Sequence, residues 1–370
     1  MRGVCVQATL QQGPFELDVQ AGFSGGAVTA ILGGSGAGKS TLLRLIAGLE
    51  KPKRGQVAVN GDLWVDTAQK LFMAPQRRSV GFMFQDYALF DHMSVAANIA
   101  YGLKGSRDVR ARAVSRWLKR MQLDKLGERS PKTLSGGQRQ RVALARALAT
   151  DPSVLLMDEP FSAIDAHLKT QLLDDVLEVV RDRKRCVLMV THNVFEARAI
   201  ADNIGVMAGG RLVRLGRADE VFDDPRAYEA AQMIGWRNLL PVVWVSGNRL
   251  GGAWGALDLD CAASIDAAWI GIRPERIRIE AAPGAGLPST VTAVREIGPV
   301  REVECVLGNG MRLSAHKAWD APVPAPGTRV GLVLPGEHVR TLVEGRSVSL
   351  GEGEIDRCDG PRRQREGTLA

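Results

Sequence analysis

At 370 residues the chain is long enough for two or three domains with sizeable cores. Apolar residues at 45%, charged residues at 24% and aromatics at 5% exclude disordered, collagen-like and wholly membrane-embedded classes. The net charge of +7 admits an anionic partner, but the basic stretches at 107–120 and 362–365 lack interleaved stacking aromatics, and no nucleic-acid motif accompanies them. No nucleic-acid partner is expected, and the two stretches are read as a solvated helix face and a disordered tail. No window approaches the roughly 18 apolar residues that a membrane-crossing helix needs, and the first residues lack the apolar run of a signal peptide. The five cysteines are scattered without a Cys-x-x-Cys pair, which argues against a disulfide framework or zinc site and fits a reducing compartment.

In chain order, Phe15, Leu17 and Val19 alternate as a half-buried strand does. Residues 28–32 form a short apolar run ending in glycines, followed by helical spacing over 41–49 that Gly48 stops. From Tyr87 to Ala149 the pattern is helical almost without strands, which predicts a helical subdomain over about 87–150. Residues 154–157 and 186–190 are buried-strand runs separated by an amphipathic stretch at 166–183. This alternation predicts an α/β domain with a mostly parallel sheet over residues 1–235. After Trp236 short β-rich runs recur between Gly, Pro and Asn turns, such as Gly308-Asn309-Gly310. They predict a small β-barrel domain over 236–350, and the polar segment 351–370 is expected to be disordered.

Three motifs carry chemistry. Gly33-Gly34-Ser35-Gly36-Ala37-Gly38-Lys39-Ser40 follows a buried strand and opens a helix. Its glycines let successive N–H groups face phosphate oxygens at the positive end of a helix. Lys39 would neutralise the β- and γ-phosphates, Ser40 would offer its hydroxyl to Mg²⁺, and Thr41 continues the nucleotide-binding set. Asp158 ends an apolar run and would hold Mg²⁺, and Glu159, one residue on, is placed to polarise an attacking water. Leu134-Ser135-Gly136-Gly137-Gln138 opens a second apolar-periodic helix and offers a second anion site.

Together these residues resemble the ATP-binding-cassette (ABC) family over residues 1–235. The resemblance implies ATP and Mg²⁺ as ligands and adds further residues. Gln85 matches the Q-loop glutamine that reaches the metal and attacking water, and His192 matches the switch histidine at the γ-phosphate. Ser162-Ala163-Ile164-Asp165 matches the D-loop, with Ile where Leu is more usual, and Asn193 stands where the family often has Asp. Phe15 is the candidate adenine-stacking aromatic, a role that competes with a plain half-buried strand position. The family also implies a homodimer in which the signature residues (134–138) and Asp165 of one chain close over the nucleotide of the other.

A cassette without its own membrane segment implies separate integral-membrane permease subunits and, indirectly, an extracytoplasmic binding protein. It places the chain peripherally on the cytoplasmic face of a bacterial inner membrane. Tyr87, Leu89 and Phe90 either line a groove for a permease helix or form the core of the helical subdomain. The C-terminal part, with Gly271-Ile272-Arg273-Pro274-Glu275, resembles the β-barrel (TOBE/Mop-type) regulatory domain of importer ATPases. Residues 62–78 and a Mop-like module at about 289–345 resemble the molybdate-importer ATPases, which makes molybdate the expected cargo. Ser314 and Lys317 could then bind an oxyanion, or be ordinary strand-edge residues. Sulfate, ferric iron and polyamine are the alternative cargoes, and a soluble ABC ATPase acting on nucleic acid is the rival from another class.

Overall fold

The computed structural model describes residues 3–161, 185–259, 266–281 and 286–345. They fall into two compact units, one ending at Ala218 and the other beginning at Asp219. The break lies ahead of the change in texture at Trp236, because the helix Tyr228–Met233 is tied to the end of the second unit: the Tyr228 N–H donates to the Val343 carbonyl at 2.9 Å.

In the first unit the chain runs β1 (Gly3–Gln12), β2 (Phe15–Ser24), β3 (Val28–Gly33), α1 (Lys39–Ala47), β4 (Arg54–Val59), β5 (Asp62–Asp66), β6 (Leu71–Phe72) and β7 (Val80–Met83). Helices α2 (Val95–Ala100), α3 (Arg107–Arg120) and α4 (Gly136–Ala149) follow, with no strand among the described residues until β8 (Val154–Asp158). Then come β9 (Cys186–Val190), α5 (Val194–Ile200), β10 (Asn203–Ala208) and β11 (Arg211–Arg217). The stretch between β7 and β8 is thus helical, and the basic α3 buries only Val114 and Trp117, as a solvated helix does.

All eleven strands join one sheet in the order β6-β5-β4-β1-β2-β11-β10-β3-β9-β8-β7. From β10 to β7 every neighbour is parallel. These strands are mostly apolar, and β3, β8 and β9 are buried at every residue. The other half departs from the expected mostly parallel sheet: β1, β2, β4, β5 and β6 pair antiparallel. Tight turns explain the pairs β1–β2, β4–β5 and β5–β6, since a short connection returns the chain antiparallel, whereas β4 comes back to pair antiparallel with β1 only after β2, β3 and α1.

Residues 62–78 build part of this edge and end in a latch. The Arg78 guanidinium lies over the Trp64 and Phe72 rings at 5.6 and 5.2 Å. It donates to the carbonyls of Leu45 and Ile46 at 3.2 and 2.7 Å, and to that of Met73 at 2.9 Å. A cation is thus held on the negative end of α1, and burial pushes the guanidinium down to about 10.

The second unit continues as β12 (Asn238–Pro241), β13 (Trp244–Ser246), β14 (Arg249–Gly252), β15 (Gly255–Asp258), β16 (Trp269–Ile272), β17 (Arg278–Glu280), β18 (Leu287–Ile297), β19 (Val300–Leu307), β20 (Arg312–Ala318), β21 (Arg329–Val333) and β22 (Arg340–Leu342). Three antiparallel sheets, β12-β16-β22, β13-β14-β15 and β17-β21-β18-β19-β20, enclose one apolar core that includes Leu240, Ile270, Val303 and Leu332. Cys305 lies in that core with its thiol pushed up to about 11 by burial, and Cys186 in the first unit is pushed up to about 12. Both are inert as nucleophiles at neutral pH. Cys261 and Cys358 lie outside the described residues.

Candidate functional site

The carboxyl ends of β3, β7, β8 and β9 lie side by side, and each delivers residues to one place, where open parallel sheets bind ligands. From β3 the chain turns through residues 34–38 into α1, which Gly38 caps in the left-handed region at φ 97. Gly33 leaves no room for a side chain: a Cβ there would stand 2.5 Å from the Met207 carbonyl oxygen. The Lys39 ammonium donates to the carbonyls of Gly33 and Gly34, both at 2.9 Å, which curls the loop around its own cation. Lys39 is 7% exposed. Burial lowers its pKa, and Glu159 and Asp158 oppose that shift. The N–H groups of this loop, the ammonium and the start of α1 form a cradle for a polyphosphate.

Asp158 ends β8 and accepts from the Ser40 hydroxyl at 2.9 Å. Burial raises its carboxyl above the ordinary range, with the Ser40 hydrogen bond pulling the other way. A buried carboxylate beside a hydroxyl at a phosphate cradle is a hard-oxygen donor set that fits Mg²⁺ shared with phosphate oxygens. Glu159 follows at φ 46, a left-handed backbone that a non-glycine residue adopts at a cost of about 1–3 kcal/mol. Its N–H donates to the Val190 carbonyl at 2.9 Å, so the strain is held by the neighbouring strand. The turn presents the Glu159 carboxylate to Gln85 Nε2 at 3.4 Å and to His192 Nδ1 at 3.2 Å. Gln85, Asp158, Glu159, His192, Lys39 and Ser40 are therefore brought together.

His192 is positioned by residues that sequence reasoning missed. The hydroxyl of buried Thr191 donates to buried Glu196 at 2.6 Å and accepts from the Asn193 N–H at 3.0 Å. Asn193 caps α5, accepting from the N–H groups of Phe195 and Glu196 at 2.9 and 3.3 Å. An amide fills that cap as well as a carboxylate does, which explains why Asn suits this position. No helical spacing announced their contact, since Thr191 lies outside α5 and five residues from Glu196.

Phe15, at the start of β2, reaches the phosphate loop: its Cζ lies 2.7 Å from where a Cβ on Gly38 would stand. Ser135 caps α4 in a reciprocal box, with Gln138 N–H donating to its hydroxyl at 3.3 Å and Ser135 N–H donating to the Gln138 side chain at 3.0 Å. Leu134 is buried beneath it, and Ser135 and Gly136 are exposed. Asp165 and the D-loop lie outside the described residues. Of the three candidates for a permease contact, Tyr87 is 3% exposed and belongs to the core. Leu89 and Phe90 are half-buried, and Phe90 stacks on exposed Tyr101 at 4.5 Å.

Ser314 and Lys317 are not brought together. Three residues apart on β20, they point to opposite faces of the sheet. Lys317 shares its face with core residues Leu313 and Ala315, whereas Ser314 shares the other with His316, opposite the buried carboxylate Glu302. Glu302 is neutralised by Arg237 at 2.6 Å. One oxyanion cannot be held by both residues of that pair within this strand.

Comparison with known proteins agrees with this geometry. Two family models match, an ABC transporter model over residues 17–162 and a TOBE domain model over residues 270–342. The chain is 39% identical over 317 residues to the sulfate/thiosulfate import ATP-binding protein CysA of Mesorhizobium japonicum, covering 82% of this chain and 88% of that one. It is 41% identical over 328 residues to CysA of Brucella melitensis, covering 85% and 83%. The Fe(3+) ions import ATP-binding protein FbpC 2 of Rhodococcus jostii is 38% identical over 320 residues, covering 85% and 90%. Among solved structures, a dimeric post-hydrolysis state of the ATP-binding cassette MJ0796 bound to ADP and Pi matches with a TM-score of 0.50 and 27% identity, over 58% of this chain and 98% of that one.

Proposed function

The chain belongs to the ABC importer ATP-binding subunits, and from that premise we propose that it powers uptake of sulfate or thiosulfate through permease subunits carried on separate chains. The observation that carries the ATPase reading is the convergence of Lys39, Ser40, Asp158, Glu159, Gln85 and His192 at the carboxyl ends of four adjacent strands. The loop 33–38 and Lys39 bind the triphosphate, and Ser40 and Asp158 hold Mg²⁺. When bound, the cation neutralises charge on the phosphate oxygens. Glu159 accepts the proton of a water as its oxygen bonds to the γ-phosphorus, and the bond to the ADP oxygen breaks. Gln85 and His192, both within reach of the Glu159 carboxylate, orient that water and steady the γ-phosphate. Phe15 stacks on the adenine beside the loop that it touches.

The residues of the signature run, 134–138, cap a helix on an exposed surface and point to a partner's nucleotide, so the working unit is a homodimer with two shared sites. The dimeric MJ0796 cassette with ADP and Pi supports this arrangement. Among the described residues no helix is long and apolar enough to cross a membrane, which supports a peripheral subunit beside a separate permease.

For the cargo, similarity to the sulfate/thiosulfate and ferric-iron import subunits supports sulfate/thiosulfate first and ferric iron second. Molybdate, expected from the resemblance of residues 62–78 and of the module at about 289–345, is named by none of these relatives, and Ser314 and Lys317 face opposite sides of their strand. The test is uptake of radiolabelled sulfate, thiosulfate, ferric iron and molybdate by cells lacking this chain and by cells complemented with it or with Lys39→Ala. Sulfate or thiosulfate uptake that disappears on deletion and returns only with the wild-type chain supports the reading. Selective loss of iron or molybdate uptake instead would transfer the cargo assignment and leave the ATPase role standing.

A further inference from the structure

The segment joining Gln85 to Phe90 has an unusual backbone. Tyr87 and Ala88 are consecutive non-glycine residues in the left-handed region, at φ 65 and 42. Nothing local favours such a pair, so it must be held from outside. The holder is Arg146, in the last turn of α4. One arm of its guanidinium donates to the Ala88 carbonyl at 2.7 Å and the other to the Tyr87 carbonyl at 2.8 Å. Its plane lies over the Phe90 ring at 5.2 Å. Arg139, two helical turns earlier on the same face of α4, lies over the ring of Tyr87 at 5.9 Å. From the other side Asn98 on α2, fully buried, accepts from the Phe90 N–H at 2.9 Å and donates to its carbonyl at 3.1 Å.

Helix α4 thus does two things along its length. Its first residue follows the Ser135 cap, and about 20 Å later its last turn grips the segment that begins at Gln85. We propose that Arg146 is a positioning residue that locks the Gln85–Phe90 segment to the signature helix, so that Gln85 beside Glu159 and Ser135 at the far end of α4 move as one body. The fork geometry matters. Two carbonyls on successive residues match the two arms of a guanidinium, and an ammonium can serve only one of them at a time. Burial lowers the Arg146 pKa while Asp86 raises it, and the side chain remains a cation throughout the neutral range.

The inference rests on the ATPase reading, and its test separates the two. In the full-length chain, Arg146→Lys keeps charge and reach but loses the fork. Amide hydrogen exchange across residues 86–93 is expected to accelerate in this variant, with the strands β3, β8 and β9 unchanged. ATP turnover is expected to fall about 10- to 100-fold, the scale of a catalytic group displaced by about an ångström. KM for ATP stays within about twofold, because the phosphate loop is untouched. If Arg146 acts through Gln85, the double variant Gln85→Ala/Arg146→Lys is no slower than Gln85→Ala alone. Wild-type exchange at 86–93 in Arg146→Lys, or turnover losses that multiply in the double variant, would overturn the proposal. Should Arg146→Lys melt globally, Ala88→Gly in that background is the second arm: glycine adopts the left-handed backbone unaided, and restored turnover supports the lock whereas none refutes it. A wild-type chain that hydrolyses no ATP would overturn the functional reading alone, since the exchange result does not depend on turnover.

Discussion

Gly38→Ala probes the phosphate loop where it is packed most tightly. At φ 97 the backbone lies in the left-handed region, where a side chain costs about 1–2 kcal/mol. The new methyl would stand 2.7 Å from Phe15 Cζ and 3.0 Å from Leu17 Cδ1. Leu17 is fully buried and has nowhere to go, so overpacking adds about 1–3 kcal/mol. The sum, about 2–5 kcal/mol, corresponds to a fall in melting midpoint of about 5–15 °C for a unit of this size. Gly34→Ala is the internal control, since no atom lies within 4 Å of its Cβ position and its φ is not positive; a change within about 0.5 kcal/mol is expected. Phe15→Ala added to Gly38→Ala removes the nearest clash, so the double variant should be more stable than the two single losses summed, by about 1 kcal/mol. Thermal unfolding of the wild-type chain and the four variants, Phe15→Ala alone included, in one buffer reads all of this. If Gly38→Ala melts together with Gly34→Ala, the loop is not packed on β2 as described and the reasoning fails.

Glu159→Gln should lower turnover about 10²- to 10⁴-fold while ATP still binds, because it removes the proton acceptor and leaves the cradle intact; steady-state kinetics with equilibrium ATP binding checks this, and near-normal turnover refutes the assigned base. Asp158→Asn should abolish Mg²⁺-dependent ATP binding and at the same time stabilise the metal-free fold. Burial raises the Asp158 carboxyl above its ordinary 3.8, so between the two values the native state keeps a proton that the unfolded state has released. Stability therefore falls as pH rises through that interval and stays lower at neutral pH. Melting midpoints in chelator should show this loss in the wild-type chain and not in Asp158→Asn; parallel pH profiles would count against it. Arg237→Ala leaves the Glu302 carboxylate, 3% exposed, without its 2.6 Å partner. It should cost about 1–3 kcal/mol in chemical unfolding of the second unit. Arg312→Ala, which removes a 71% exposed cation from Glu304, should cost less than about 1 kcal/mol.

The phosphate loop was legible because its chemistry is local. Eight consecutive residues specify the turn, the cation and the helix start, and a buried strand before them and apolar spacing after them supply the context. Asp158 and Glu159 could be named because they end an apolar run, whereas Gln85 and His192 were named only by their match to the motifs of the ABC family; the parallel sheet brings all four to the carboxyl ends of its strands. The helical subdomain and the β-rich second unit followed from periodicity in the same way.

What pattern could not decide were pairings across long stretches of chain. Phe15 meets Gly38 only because β2 folds back beside the loop, and Tyr87 faces the core because Arg146 holds a backbone that no residue preference announces. The antiparallel half of the sheet joins the hairpin β1–β2 to β4 and β5 through the pairing of β1 with β4, two strands far apart in the chain. Ser314 and Lys317 look like partners in the sequence and are separated by the two-residue period of a strand. The sequence by itself determined the nucleotide chemistry, since backbone conformation over a few residues creates it. The tertiary structure alone decided which side chains brace that chemistry, because bracing depends on contacts between segments dozens of residues apart.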